Sequence, residues 1–160
     1  MLNRKEKKCK KVCFAASSGG HFEQIAMLRP LMKQYNSFIV TEKTKYNMEI
    51  EDVGVYYLHQ VNRKEKLFMF FMIINAFKSL WFFLVNKPDV VITTGVLAVI
   101  PLCLLAKLFG KKLIYIESFA KITSPTETGK LMYKYADRFY VQWESMLEIY
   151  PNAIYLGSIY

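Results

Sequence analysis

Metal-ligand spacing, a three-glycine dinucleotide loop, a Walker loop and a nucleophile elbow are all missing from this 160-residue sequence, and each gap removes a class of chemistry. Cysteine is scarce. Cys9, Cys13 and Cys103 form neither a CxxC pair nor a metal-binding pattern, so they read as packing residues of a protein kept in a reducing compartment. Acidic residues are in deficit as well. Thirteen Asp and Glu against 22 Lys and Arg leave a formal charge of +9, which favours polyanions: nucleic acid, anionic lipid headgroups or phosphorylated substrates. A nucleic-acid partner is set aside, because the basic residues are scattered and no recognised motif frames them. The first ten residues are basic but hold no apolar run of signal-peptide length; residues 1–10 are expected to be a solvated or lipid-facing arm. The length suits one domain and is too short for two full α/β domains.

What is present is apolar: 53% of residues are hydrophobic and 16% aromatic, high for a freely soluble domain. Strand-like and helix-like stretches alternate along residues 11–160. Strands are expected at Lys11–Ala16, Ser37–Thr41, Val55–Val61, Asp89–Thr94, Lys112–Glu117 and Arg138–Gln142, with Ala153–Gly157 closing the chain. Helices fall between them, the first one kinked or split at Pro30, with a polar loop over Glu42–Met48. The alternation predicts an α/β fold: a Rossmann-like, mostly parallel sheet with helices on both faces and its ligand edge at the carboxyl ends of the strands.

The stretch Ser17-Ser18-Gly19-Gly20-His21 lies at that edge, between the first strand and the first helix. Two adjacent residues without Cβ let the backbone approach a ligand, and the first helical turn attracts an anion, so a phosphate or pyrophosphate is the natural guest. The plain alternative is a simple turn with a serine cap. His21 is placed to bind a phosphate oxygen or to take a proton from an attacking hydroxyl. Thr94, Gly95, Glu117 and Ser118 end neighbouring strands and complete the candidate set. The threonines also fit plain β propensity. Glu117 is a carboxylate at the end of an apolar strand, catalytic or else ion-paired with Lys112 or Lys121. His59 reads as a packing or surface residue. A stand-alone nucleotide- or phosphate-binding enzyme is the alternative reading, with Glu42 as its only candidate for a ribose ligand.

Residues 66–86 raise the question of a membrane. The run approaches the roughly 20 apolar residues that cross a bilayer, flanked by Arg63, Lys64, Lys66 and Lys87. Yet Asn75, Lys78 and Ser79 share one helical face, and strands precede and follow the run as they would a crossover helix. The excess of apolar surface predicts shallow membrane insertion through Phe70, Phe71, Ile74, Trp81 and Phe82, with a single span or a partner interface as the alternatives.

Ser17–His21, Asp89–Gly95, Ile116–Ser118, Ala136–Trp143 and Tyr150–Gly157, in this order, resemble bacterial capsular and exopolysaccharide proteins called β-1,4-galactosyltransferase enhancers. These are similar to the membrane-anchoring subunit of the split eukaryotic N-acetylglucosaminyltransferase acting on dolichol pyrophosphate. The resemblance implies the amino-terminal, acceptor-side half of a GT-B glycosyltransferase. It further implies a separate carboxy-terminal GT-B half as partner, carrying most of the UDP-sugar pocket, so that no cofactor is bound by this chain alone. The acceptor would be a polyprenyl-pyrophosphate-linked saccharide at the cytoplasmic face of the membrane. Gly19, Gly20 and His21 match the family's glycine-rich acceptor loop, and Glu117 matches a carboxylate after the fifth strand. The family's amino-terminal membrane helix has no counterpart here, which would leave anchoring to the internal helix and the basic arm.

Overall fold

Seven strands, β1 (Lys11–Ala16), β2 (Asn36–Glu42), β3 (Gly54–Leu58), β4 (Val90–Gly95), β5 (Lys112–Ile116), β6 (Arg138–Val141) and β7 (Ile154–Tyr155), form one sheet in the order β3-β2-β1-β4-β5-β6-β7. Every neighbouring pair is parallel. The computed structural model describes residues 9–44, 50, 52–95 and 97–160. The expected arm at 1–10 therefore lies largely outside the described residues, as do the end of the polar loop expected after Glu42 and Val96, the first residue of the helix expected over Val96–Phe109.

Alternation along β1 separates two cores, as the two-residue period of a strand requires. Val12, Phe14 and Ala16 join Phe22, Ile25 and Met32 on one face; Cys13 and Ala15 join Phe82, Phe83, Leu102 and Ala106 on the other. The first face carries α1 (Gly20–Ala26) and α2 (Arg29–Met32), the two pieces into which Pro30 splits the first helical stretch. The second carries α3 (Phe68–Asn86), α4 (Ile100–Leu108) and α5 (Glu127–Met132), with 3₁₀ turns at Leu97–Val99 and Glu144–Leu147. Right-handed crossovers explain the division: the chain winds outward from β1 to β3, returns to β4 on the other side of β1, and winds outward again. The winding reverses between β1 and β4, and a crevice opens at the carboxyl end of such a pair.

The crossover helix α3 shows its apolar side to the outside. Asn75, Ser79, Phe82, Phe83 and Asn86 are buried, while Met69, Phe70, Ile73, Phe77, Trp81, Leu84 and Val85 are at least half exposed. The two asparagines face inward because they have hydrogen bonds to make there. Asn75 accepts from the His59 N–H and donates to the His59 carbonyl, both at 2.8 Å. Asn86 accepts from Tyr56 Oη at 3.1 Å and donates to the Phe82 carbonyl at 3.0 Å. Phe82 is 6% exposed and packs its ring at a tilt against Tyr56, so the expectation that it meets lipid is corrected. Phe71 and Ile74 are half-buried; Phe70 and Trp81 keep the outward position expected of them.

Candidate functional site

The loop after β1 depends on one unusual residue. Gly19 has φ 71° and ψ −142°, a conformation that side chains with a Cβ rarely reach, although space around it is open. Its carbonyl accepts from the N–H groups of Phe22 and Glu23 at 2.9 and 3.1 Å and so starts α1. Gly20 is exposed beside it. The two serines expected to offer hydroxyls to a phosphate have internal partners instead: Ser17 Oγ donates to the Ser18 carbonyl at 3.1 Å, and Ser18 bonds to Glu42 through both its backbone and its side chain. Glu42, 5% exposed, also accepts from the Val61 N–H at 3.1 Å. Burial pushes its carboxyl up from the usual range, and these bonds pull it part of the way back. Held in this way, it is not placed as a ribose ligand, and the stand-alone nucleotide reading loses its only candidate.

His21 and Thr94 clasp each other across the switch point between β1 and β4. Thr94 Oγ1 donates to the His21 carbonyl at 3.0 Å, and His21 Nδ1 faces the Thr94 carbonyl at 2.9 Å. A carbonyl only accepts, so Nδ1 carries the hydrogen and Nε2 is the basic nitrogen of the neutral ring. Burial lowers the His21 pKa from its ordinary 6.5, opposed by the bond to Thr94 and by the charge of Glu117. Thr94 thus positions His21 and is not left free to hold a ligand. Gly95 also has a different job: its N–H donates to Thr93 Oγ1 at 3.0 Å, and with φ at 100° any Cβ there would come within 2.7 Å of Tyr115 Oη.

Glu117 is 1% exposed and saturated with donors. Oε1 accepts from Thr126 Oγ1 and the Ser118 N–H, each at 2.9 Å, and Oε2 accepts from Tyr150 Oη at 3.0 Å. Longer bonds arrive from Tyr115 Oη and the Thr126 N–H, both at 3.4 Å. Neither lysine considered as its ion-pair partner takes that place, since Lys112 pairs with Asp137 at 3.4 Å and Lys121 lines the neighbouring cavity. With both oxygens committed behind Thr126 and Tyr115, Glu117 fixes the loop that follows β5, and its expected role as a catalytic base is corrected to a positioning one. Burial, and then the Glu117 charge, push the Tyr115 and Tyr150 hydroxyls well above their ordinary values, so both remain donors. Ser118 is buried, its N–H on Glu117 and its carbonyl accepting from the Lys121 N–H at 3.0 Å.

Beside this cluster lies a polar cavity of about 370 Å³ whose lining includes His21, Arg63, Lys121, Thr126 and Thr128. Glu127 also lines it, with its carboxylate held by Lys130 at 2.7 Å. Arg63 and Lys121 were not in the expected site set. The signal for Arg63 was its place in the connection leaving β3, at the same sheet edge. Gln24 and Gln142 were missed too. Gln24 donates to the Gly20 carbonyl at 3.3 Å and accepts from Gln142 Nε2 at 2.7 Å; Gln142 in turn donates to the Glu117 carbonyl at 2.9 Å and accepts from the Ile159 N–H at 3.2 Å. A buried amide pair therefore joins the glycine loop, the Glu117 loop and the final residues. Among the described residues no group of three or more His, Cys, Asp and Glu side chains is arranged to hold a metal.

Comparison with known proteins places this geometry in a family. A sequence profile described as "Oligosaccharide biosynthesis protein Alg14 like" matches residues 12–159. The "UDP-N-acetylglucosamine transferase subunit ALG14" of Rattus norvegicus is 34% identical over 116 residues, covering 65% of this chain and 54% of that protein. The protein of the same name from Mus musculus is 28% identical over 93% of this chain and 82% of its own length. Among solved structures, MurG of Acinetobacter baumannii superposes with a TM-score of 0.64 at 19% identity, over 82% of this chain and 41% of that one. The UDP-N-acetylglucosamine 2-epimerase of Rickettsia bellii gives 0.71 at 13% identity, over 94% and 45%. The chain thus spans about half of the rat relative and less than half of either solved structure, and the structural likeness concerns the fold: one GT-B-like half.

Proposed function

The chain belongs to the Alg14-like family of oligosaccharide biosynthesis proteins, and from that premise we propose that it is the acceptor-binding subunit of a split glycosyltransferase. In this reading a separate chain carries the carboxy-terminal half and most of the UDP-sugar pocket. The acceptor is a saccharide linked to a polyprenyl pyrophosphate. Its pyrophosphate lies near Arg63 and Lys121, and its acceptor hydroxyl lies toward His21. The observation that carries the reading is the open Nε2 of His21 at the rim of a cationic cavity, at the switch point of a sheet whose structural relatives are about twice as long. Neutral His21 takes the proton as the acceptor hydroxyl attacks the sugar carbon, while the leaving nucleotide is stabilised from the partner's side of the cleft.

The outward face of α3 supports a peripheral place on the membrane surface, and the resemblance of the five motifs supports its cytoplasmic side. α3 is long and apolar enough to span, but leaving the sheet would strip Asn75 of both its bonds to His59 and Asn86 of its bond to Tyr56, and take Phe82 and Phe83 out of the core. Lying in the interface keeps all of these and covers Phe70, Phe77 and Trp81 with lipid. The resemblance of its five motifs to the bacterial enhancers supports capsule or exopolysaccharide synthesis as the setting. An assay of purified partner with and without this chain, on vesicles bearing the acceptor, tests the reading. Transfer is expected only when both are present; full transfer by the partner alone refutes a shared cleft.

A further inference from the structure

Two cavities of opposite character lie near the start of α4. One is the polar cavity of His21, Arg63 and Lys121, whose lining includes Leu97. The other is an apolar groove of about 650 Å³ along the seam of α3 and α4, lined by Ile73, Phe77 and Leu80 on one side and Pro101, Leu104 and Leu108 on the other. Both helices follow strands of a parallel sheet, so both begin at its carboxyl edge and run the same way. Leu97 and Pro101 are four residues apart, about 6–8 Å along a 3₁₀ turn and the first turn of α4, so the head of the groove lies close to the polar cavity. From Ile73 to Leu80 it continues for about 10 Å.

Packed helices normally close such a seam, because an apolar trough left to water forfeits both dispersion contacts and hydrophobic gain. This one stays open beside the exposed face of α3. A flat bilayer surface would cover that face without needing a groove, whereas a groove that leads from a cationic pocket fits one amphiphile with an anionic head and a hydrocarbon tail. We propose that the α3–α4 groove holds the first isoprene units of the acceptor's lipid tail, with the pyrophosphate at Arg63 and Lys121. The inference rests on the acceptor reading above and deepens it: the protein takes part of the lipid out of the bilayer and does not grip only the sugar and phosphates.

Photolabelling of the full chain with its partner on phosphatidylcholine vesicles tests this. One probe is a polyprenyl pyrophosphate with a diazirine in its first isoprene units; the other is a phosphatidylcholine with a diazirine in its acyl chain at the same mole fraction. The prenyl probe is expected to label the peptides of Ile73, Phe77 and Leu104 at least tenfold more than the acyl probe, and unlabelled farnesyl pyrophosphate is expected to compete. Ala76 also lines the groove, so Ala76→Trp, which fills it, is expected to cut that labelling about tenfold, with Ala76→Ser retaining it. Equal labelling by the two probes would overturn the proposal, and that comparison needs no variant to fold. Prenyl labelling confined to the segment around Lys121 would refute the groove and leave the acceptor reading standing; no competable labelling anywhere would remove both.

Discussion

Thr94 occupies one nitrogen of His21 and thereby decides what the other can do. In the neutral ring Nε2 is the base, and burial keeps the ring neutral further into acid than an ordinary imidazole at 6.5. The acid limb of kcat/KM is therefore expected below pH 6.5, and His21→Ala should remove that limb and lower kcat by 10²–10⁴-fold. A pH–rate series on the two-subunit complex checks both. Stability moves with the same sign: as pH falls through 6.5 the unfolded chain takes up a proton that folded His21 still refuses, so this group's contribution to stability is lost on the acid side. Gly129 gives a purely structural prediction. A Cβ there would overlap Glu117 Oε2 and lie 2.8 Å from both Thr126 Oγ1 and Tyr150 Oη, so Gly129→Ala should cost about 1–3 kcal/mol, read from urea unfolding. The strand-to-helix turn at Gly19 and Gly20 was legible in the sequence because a Gly-Gly pair between an apolar run and a helical period marks such a turn. The jobs of Thr94 and Glu117 were not, because the partners that occupy them, the His21 carbonyl and the hydroxyls of Thr126 and Tyr150, come from elsewhere in the chain.

At the scale of elements, α3 decides how the protein meets its surroundings. The sequence showed a run apolar around most of its circumference, and such a run does not say which side packs inward. Asn75 and Ser79 marked a distinct face, and the structure turns that face toward the sheet, where Asn75 serves the backbone at His59. Phe70→Ser and Trp81→Ser are each expected to weaken binding to anionic vesicles about tenfold, measured by flotation, with the unfolding midpoint little changed. Phe82→Ser should do the reverse, lowering stability by several kcal/mol because its ring lies in the core against Tyr56.

At the scale of the whole molecule, the alternation of elements made a parallel sheet legible, and the handedness rule fixes which helices take which face. The Gln24–Gln142 bridge was not legible, since nothing local tells two buried amides that they will meet 118 residues apart. That bridge ties the final residues to the glycine loop. On the α1 face an apolar cavity of about 300 Å³ lies near the same chain end, framed by Ile114, Tyr140 and Leu156, the last 81% exposed. Such a surface is where the partner proposed above would be expected to dock.

Calorimetric titration of the isolated chain with a short-chain prenyl-pyrophosphate-linked N-acetylglucosamine, and separately with UDP-N-acetylglucosamine, tests the division of labour most directly. The acceptor analogue is expected to bind the chain alone, at least tenfold more weakly in the Arg63→Ala/Lys121→Ala double variant, and the nucleotide sugar to bind only after the partner is added, as that division requires. Tight binding of the nucleotide sugar by the isolated chain, with none of the acceptor, would contradict it.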